Sequence, residues 1–128
     1  MRSTEDRSTR KSFETFSPLG PWIVSADEIE DPDGLDLRCT VSGDMRQETN
    51  TSELIFSVGQ LIAYASAVMT LEPGDVIATG TPAGVGPLSD GDTIDLDIEN
   101  IGTLSVSVSA ADAIAYADRP VPATIVVG

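Results

Sequence analysis

Apolar and polar side chains alternate along two stretches of the chain, and each stretch predicts a β-hairpin. In the first, residues 35–41 alternate, a turn follows at Ser42-Gly-Asp44, and the chain returns through residues 45–49. In the second, residues 94–99 and 104–108 alternate on either side of the turn Asn100-Ile-Gly102. Since successive strand side chains point to opposite faces, both hairpins are predicted to have one apolar and one polar face.

Residues 56–70 change to the period of a helix. Ser57 and Gln60 have the spacing of a capping box, and Phe56 and Leu61 have the spacing of a hydrophobic staple. Apolar side chains then follow at i, i+3, i+4 and i+7, at Leu61, Tyr64, Ala65 and Val68. This is the clear helix of the chain.

A Gly- and Pro-rich loop, GTPAGVGP at Gly80–Pro87, follows a turn at 72–75 and a short predicted strand at 76–79. Its backbone amides and the hydroxyl of Thr81 are groups that hold a carboxylate or an enolate. The loop has neither the GK[ST] element of a phosphate loop nor the strand and helix context of a dinucleotide site. Taken alone, a structural turn is the commoner explanation.

Composition limits the classes of function. The 128 residues, 41% hydrophobic, make one domain, and no apolar run approaches the length of about 20 residues that a membrane span needs. The polar start has no apolar signal region, so we expect a cytoplasmic protein. Cys39 is the single cysteine, which excludes an internal disulfide and a cysteine-based zinc site; it is interpreted as a small core residue.

The charge distribution is strongly asymmetric. The chain has a net charge of −14 and no histidine, and residues 12–128 carry three basic against nineteen acidic side chains. A chain with so few basic residues cannot neutralise a phosphate backbone, so nucleic acid is not expected as a partner. The acids at 95, 97 and 99 lie in a row on one strand face and do not converge as cation ligands do, so a solvated face is predicted.

Lys11 is the single lysine, and it precedes the stiff turn SPLGPW. An ammonium group in so acidic a chain is the natural candidate to bind an anionic substrate. By composition alone, a solvated N-terminal charge is the commoner explanation.

The segments KSFETFSPLGPWIV and NTSELIFSVGQLIAYASAVMTLEPGDVIATGTPAGVG, with the closing hairpin, closely resemble the fumarylacetoacetate hydrolase family over about residues 10–110. Within the family, these segments are most similar to the bacterial 2-hydroxyhepta-2,4-diene-1,7-dioate isomerases and acylpyruvate hydrolases. The resemblance implies a mainly β fold with one helix, a mixed β-sandwich roll lacking its N-terminal part. It divides the chain into a polar segment at 1–10, the family catalytic portion at 11–112 and a tail at 113–128.

The resemblance also implies a chemistry and its residues. Lys11 matches the catalytic lysine that binds substrate oxygens, Thr81 matches the threonine that holds the substrate carboxylate, and Gly80 is expected to share that contact through its backbone. The expected substrate is a small 2-oxo or 2-hydroxy-enoic acid, polarised by Mg²⁺ or Mn²⁺ for C–C hydrolysis, decarboxylation or keto-enol isomerisation. A homo-oligomer is expected, as is common in the family.

The family's metal ligands, a Glu-x-Glu pair and an Asp, lie upstream of the lysine, as does the His-Glu pair of its hydrolases and decarboxylases. Only ten residues precede Lys11, so no metal ligand is assigned here, and the isolated chain is expected to be inactive. Two alternatives remain. One is a catalytically silent β module that pairs with another chain, and the other is a small carrier or sugar-binding β domain, which the helix and the GTPAG loop disfavour.

Overall fold

The computed structural model describes residues 11–115 and 118. The predicted N-terminal segment 1–10 lies outside the described residues, as does most of the predicted tail 113–128. Four strands and one helix follow in chain order: β1 (Asp36–Val41), β2 (Asp44–Asn50), α1 (Val58–Val68), β3 (Thr93–Ile98) and β4 (Gly102–Ser107). Short 3₁₀ turns occupy Ala26–Glu28 and Thr51–Glu53.

The four strands form one antiparallel sheet in the order β2-β1-β3-β4. Both predicted hairpins are confirmed, β1 with β2 and β3 with β4. The two hairpins join through β1 and β3, which pair from Leu37 opposite Ile98 to Val41 opposite Ile94. Because apolar residues face apolar residues across this junction, the alternation of both hairpins combines into one continuous apolar face.

The opposite face of the sheet is polar. Arg38 and Glu48 form an ion pair at 2.9 Å across β1 and β2. On the other hairpin, Asp97 accepts a hydrogen bond of 2.7 Å from the Thr103 hydroxyl, and Asp95 accepts one from the hydroxyl of Ser105. The acids of β3 are therefore paired with neighbouring hydroxyl groups, one by one, along the strand.

A β-bulge interrupts β2. Cys39 lies opposite Gln47 and Thr40 lies opposite Met45, so that Arg46 is the extra residue. The bulge shifts the alternation of β2 by one position. Gln47 consequently shares the apolar face with Cys39, whereas Met45, 52% exposed, lies opposite Thr40 on the polar face.

The predicted helix and its capping box are confirmed. The Ser57 hydroxyl accepts a hydrogen bond of 3.2 Å from the backbone N–H of Gln60, and the Gln60 side chain accepts one of 2.9 Å from the N–H of Ser57. The N–H of Val58 also donates to Oδ1 of Asp33 at 2.7 Å. This bond satisfies a free donor of the first turn and ties the helix to the loop before β1.

The predicted strand at 76–79 is wrong. These residues form no strand, and the side chain of Val76 is 65% exposed. An apolar run becomes a strand when a neighbouring strand pairs with its backbone, and the described residues provide no such neighbour here.

The apolar face is only partly covered, and side chains on it such as Leu96 and Ile98 are half-buried. Among the described residues, the buried hydrophobic side chains are Leu35 and Val41, each 7% exposed. The described segments contain no helix with the length and apolar character that crossing a membrane requires.

Candidate functional site

The predicted site residues lie on two loop segments, 11–22 and 80–88, and the C-terminal part of each segment lies next to the apolar face of the sheet. The turn at Pro18–Trp22 lies over Leu96, Ile98 and Leu104. The loop at Gly84–Leu88 lies over Cys39, Val41 and Ile94. The same face of one sheet thus supports the segment that follows Lys11 and the segment that follows Thr81.

Trp22 anchors the first segment to the turn between β3 and β4. Its indole Nε1–H donates a hydrogen bond of 2.6 Å to the carbonyl oxygen of Ile101. The ring lies so close to Gly102 that a Cβ atom there would be 2.6 Å from Cζ2 of the tryptophan. The glycine in the sequence motif NIG therefore makes room for the tryptophan of the motif SPLGPW.

Lys11 lies exposed at the start of this segment. A turn follows it, in which the Phe16 N–H donates to the carbonyl of Phe13 at 3.1 Å and the two phenyl rings lie 5.4 Å apart between centroids. An exposed ammonium on a short, turn-shaped segment is accessible to a small anion.

The second segment is attached to β2 at its bulge. The side-chain amide Nε2 of Gln47 donates to Oγ1 of Thr81 at 2.7 Å and to the carbonyl oxygen of Pro82 at 3.0 Å. Two residues further on, the backbone of Gly84 passes so close to Arg46 that an added Cβ would lie 1.8 Å from the arginine carbonyl oxygen. Only glycine permits this approach.

The three predicted site residues are all exposed. Gly80 adopts a φ of +116° with open space around it, and Thr81 is held by Gln47. Within residues 11–115 and 118, no hydrogen bond that the structure shows joins Lys11 to the loop of Gly80 and Thr81. The sheet supports both segments without a direct bond between them.

Gln47 is not among the site residues predicted from the sequence. Residues 46–48 are a polar run, Arg-Gln-Glu, in which simple alternation gives no reason to select the middle residue. The bulge determines that Gln47 points to the apolar face, and a bulge of this kind has no signal in the alternation pattern.

The described residues do not form a metal site by themselves. No group of three His, Cys, Asp or Glu side chains among residues 11–115 and 118 is arranged to hold a metal ion. A divalent cation needs several oxygen ligands, so these residues do not fit Mg²⁺ or Mn²⁺ without ligands from elsewhere.

Comparison with known proteins identifies the domain. The family model for the C-terminal domain of fumarylacetoacetate hydrolase matches residues 1–109. The maleylpyruvate hydrolase of Aquipseudomonas alcaligenes is 47% identical over 108 residues, which are 84% of this chain and 38% of that protein. The chain thus spans about two fifths of the length of that relative.

Solved structures agree in fold. The maleylpyruvate hydrolase from Sphingobium sp. SYK-6, crystallised in complex with manganese(II) and pyruvate, superposes with a TM-score of 0.78 at 51% identity, covering 80% of this chain and 39% of that one. The 2-hydroxyhepta-2,4-diene-1,7-dioate isomerase from Mycobacterium marinum gives a TM-score of 0.69 at 54% identity, covering 74% and 36%. The predicted mainly β fold with one helix is confirmed, and the chain belongs to the fumarylacetoacetate hydrolase family.

Proposed function

We propose that this chain supplies the part of a fumarylacetoacetate hydrolase-type active site that binds the substrate anion, within residues 11–112. The proposed substrates are small 2-oxo or 2-hydroxy-enoic acids, and the reactions are C–C hydrolysis, decarboxylation or keto-enol isomerisation. The observation that supports this most is the likeness, over 80% of the chain, to a maleylpyruvate hydrolase whose structure contains manganese and pyruvate.

Lys11 is proposed to neutralise the negative charge that develops on the substrate oxygens. An ammonium group is a compact charge with three donors, and it stabilises an enolate more than the neutral ketone from which the enolate forms. The exposure of Lys11 and its position before the anchored turn support this role.

Thr81 and Gly80 are proposed to hold the carboxylate end of the substrate through the threonine hydroxyl and the glycine N–H. Hydrogen bonds to a carboxylate are charge-assisted and roughly twice as strong as neutral ones. The attachment of Thr81 to β2 supports the proposal, because a donor held in place loses little freedom when the substrate binds.

The Mg²⁺ or Mn²⁺ ion of this proposal needs carboxylates from outside the described residues, for which there are two candidate sources. One is sequence encoded upstream of this chain, and the other is a separate partner chain. We propose the first, with the catalytically silent β module as the alternative. The exposed apolar side chains, such as Ile23 and Ile55, and the lack of a metal-ligand cluster in residues 11–115 and 118 are compatible with both.

The experiment compares the 128-residue chain with a version extended by any in-frame sequence upstream of Met1. Both are assayed with Mg²⁺ and with Mn²⁺ on a panel of acylpyruvates and hydroxymuconate-type acids. We expect weak metal binding and no turnover from the 128 residues alone, and metal-dependent turnover from the extended protein. Metal-dependent turnover by the short chain would contradict the assignment of the metal ligands.

Lys11→Ala in the active form tests the lysine. We expect a loss of 10²-fold or more in kcat/KM, the scale at which removal of one transition-state donor acts. Arg38→Ala is the matched control, because it also removes a cation but from the polar face, where Arg38 pairs with Glu48. A Lys11→Ala variant as active as Arg38→Ala would refute the role of the lysine.

A further inference from the structure

The orientation of the Gln47 side-chain amide follows from its partners. The carbonyl oxygen of Pro82 accepts hydrogen bonds and cannot donate them, so the amide nitrogen of Gln47, not its oxygen, must face the loop. The same nitrogen lies 2.7 Å from Oγ1 of Thr81. The two protons of one –NH₂ group thus serve two acceptors on adjacent residues.

This arrangement decides what the Thr81 hydroxyl can do. A hydroxyl group has one proton and two lone pairs, and Gln47 occupies one of the lone pairs. The Thr81 proton cannot point back at Gln47, because the amide nitrogen has no lone pair to accept it. The hydroxyl is therefore left as a donor toward the exposed side of the loop, which is the polarity that a carboxylate requires.

The position of Gln47 is itself fixed by the sheet. The bulge at Arg46 turns the half-buried Gln47 side chain toward the apolar face, opposite Cys39. The close approach of Gly84 to the Arg46 carbonyl holds the same loop at a second point. The hydrogen bonds of Gln47 therefore connect a rigid strand to the residue that the proposed function places on the substrate.

We infer that Gln47 is a positioning residue, which holds the Thr81 hydroxyl and makes it a hydrogen-bond donor to the carboxylate of the substrate. The inference rests on the proposed function, because it acts through Thr81. It predicts that Gln47 contributes more to substrate affinity when residue 81 carries a hydroxyl group than when it does not.

The test is a double-mutant cycle in the metal-loaded protein that includes any upstream sequence, with pyruvate as the probe and titration calorimetry as the measurement. Gln47→Met keeps the length of the side chain and removes the donor, and we expect it to raise the Kd for pyruvate about fivefold. In a Thr81→Val background the same substitution is expected to have a smaller effect, since only the bond to the Pro82 carbonyl remains to be lost, and in a Thr81→Ser background the full effect is expected to persist. KM in the turnover assay is expected to rise more than kcat falls.

Gln47→Glu is a second variant, for which a larger loss of pyruvate binding is expected. A carboxylate at this position accepts the Thr81 proton and turns it away from the substrate, so pyruvate binding is expected to weaken more than in Gln47→Met. Glu48→Met is the matched control, because it changes the adjacent residue of β2 on the polar face. Urea unfolding of each variant separates lost affinity from lost folding, and Gln47→Leu replaces Gln47→Met if the latter does not fold.

The outcomes separate the two claims. Equal losses from Gln47→Met in the threonine and valine backgrounds, or no loss in either, would overturn the positioning role while leaving the proposed function in place. An unchanged Kd in Thr81→Val alone would refute the proposed role of Thr81, and the role of Gln47 would be overturned with it.

Discussion

Gly84 is the point at which the loop of Thr81 comes closest to the sheet, and Gly84→Ala tests whether that approach holds the loop in place. The added methyl group would lie 1.8 Å from the carbonyl oxygen of Arg46, whereas atoms in contact lie more than 3 Å apart. The obstructing atom belongs to the backbone of β2, so no side-chain rotation relieves the clash. Either the loop or the strand must move.

The magnitude decides which of them moves. Gly84 has a φ of +108°, and a residue with a Cβ at such an angle costs about 1–2 kcal/mol. Forcing a methyl group into a filled space adds about 1–3 kcal/mol. The two hydrogen bonds of Gln47 that hold the loop contribute about 1–3 kcal/mol together. The combined cost of about 2–5 kcal/mol is centred above what the two hydrogen bonds contribute, so we expect the loop to detach while the sheet remains folded.

Gly74→Ala is the matched control. Gly74 has a φ of +101°, close to that of Gly84, but an added Cβ there meets no atom within 4 Å. Both variants therefore carry the strain of the backbone angle, and only Gly84→Ala carries the clash. Any difference in behaviour between the two variants is therefore due to the contact between the loop and β2.

The side-chain NH₂ signals of Gln47 in a ¹⁵N–¹H NMR spectrum report the contact directly. We expect them to move to the position of a free glutamine amide in Gly84→Ala and to stay in place in Gly74→Ala. The backbone signals of β1, β3 and β4 are expected to be retained in both variants. Unchanged Gln47 signals in Gly84→Ala, or identical changes in the two variants, would show that the contact at Gly84 does not hold the loop in place.

Two further predictions concern pH and assembly. Hydrogen bonds from the Ser89 N–H and the Ser42 hydroxyl lower the pKa of Asp92 below its ordinary value of 3.8. A lowered folded-state pKa stabilises the fold above the ordinary value, and this stabilisation is lost as the pH falls through the folded value. Asp92→Asn should therefore reduce the urea midpoint at pH 6 and have less effect below pH 3.8. Sedimentation of the purified 128-residue chain at tens of micromolar should show dimers or larger species, because large apolar side chains such as Ile23 and Ile55 are 90% or more exposed; a single monomeric species would contradict this.

Elements that form through local interactions could be predicted from the sequence. The alternation on either side of residues 42–44 and of Asn100 predicted both hairpins, since the period of side chains along a strand is a property of the strand itself. The capping box of Ser57 and Gln60 marked the start of the helix because the two residues interact within one turn. The long signatures around Lys11 and Thr81 were sufficient to identify the family.

The assembly of the candidate site depends on contacts between distant parts of the chain. The bond from Gln47 to Thr81 joins residues 34 positions apart, and the bond from Trp22 to Ile101 joins residues 79 positions apart. The run at 76–79 has the composition of a strand, but no strand within the described residues pairs with it. The lack of a pairing strand therefore overrode its local preference. The bulge at Arg46 turned a polar side chain to the apolar face. Local patterns record the preference of each segment for its own conformation, whereas these features depend on which segments meet in three dimensions.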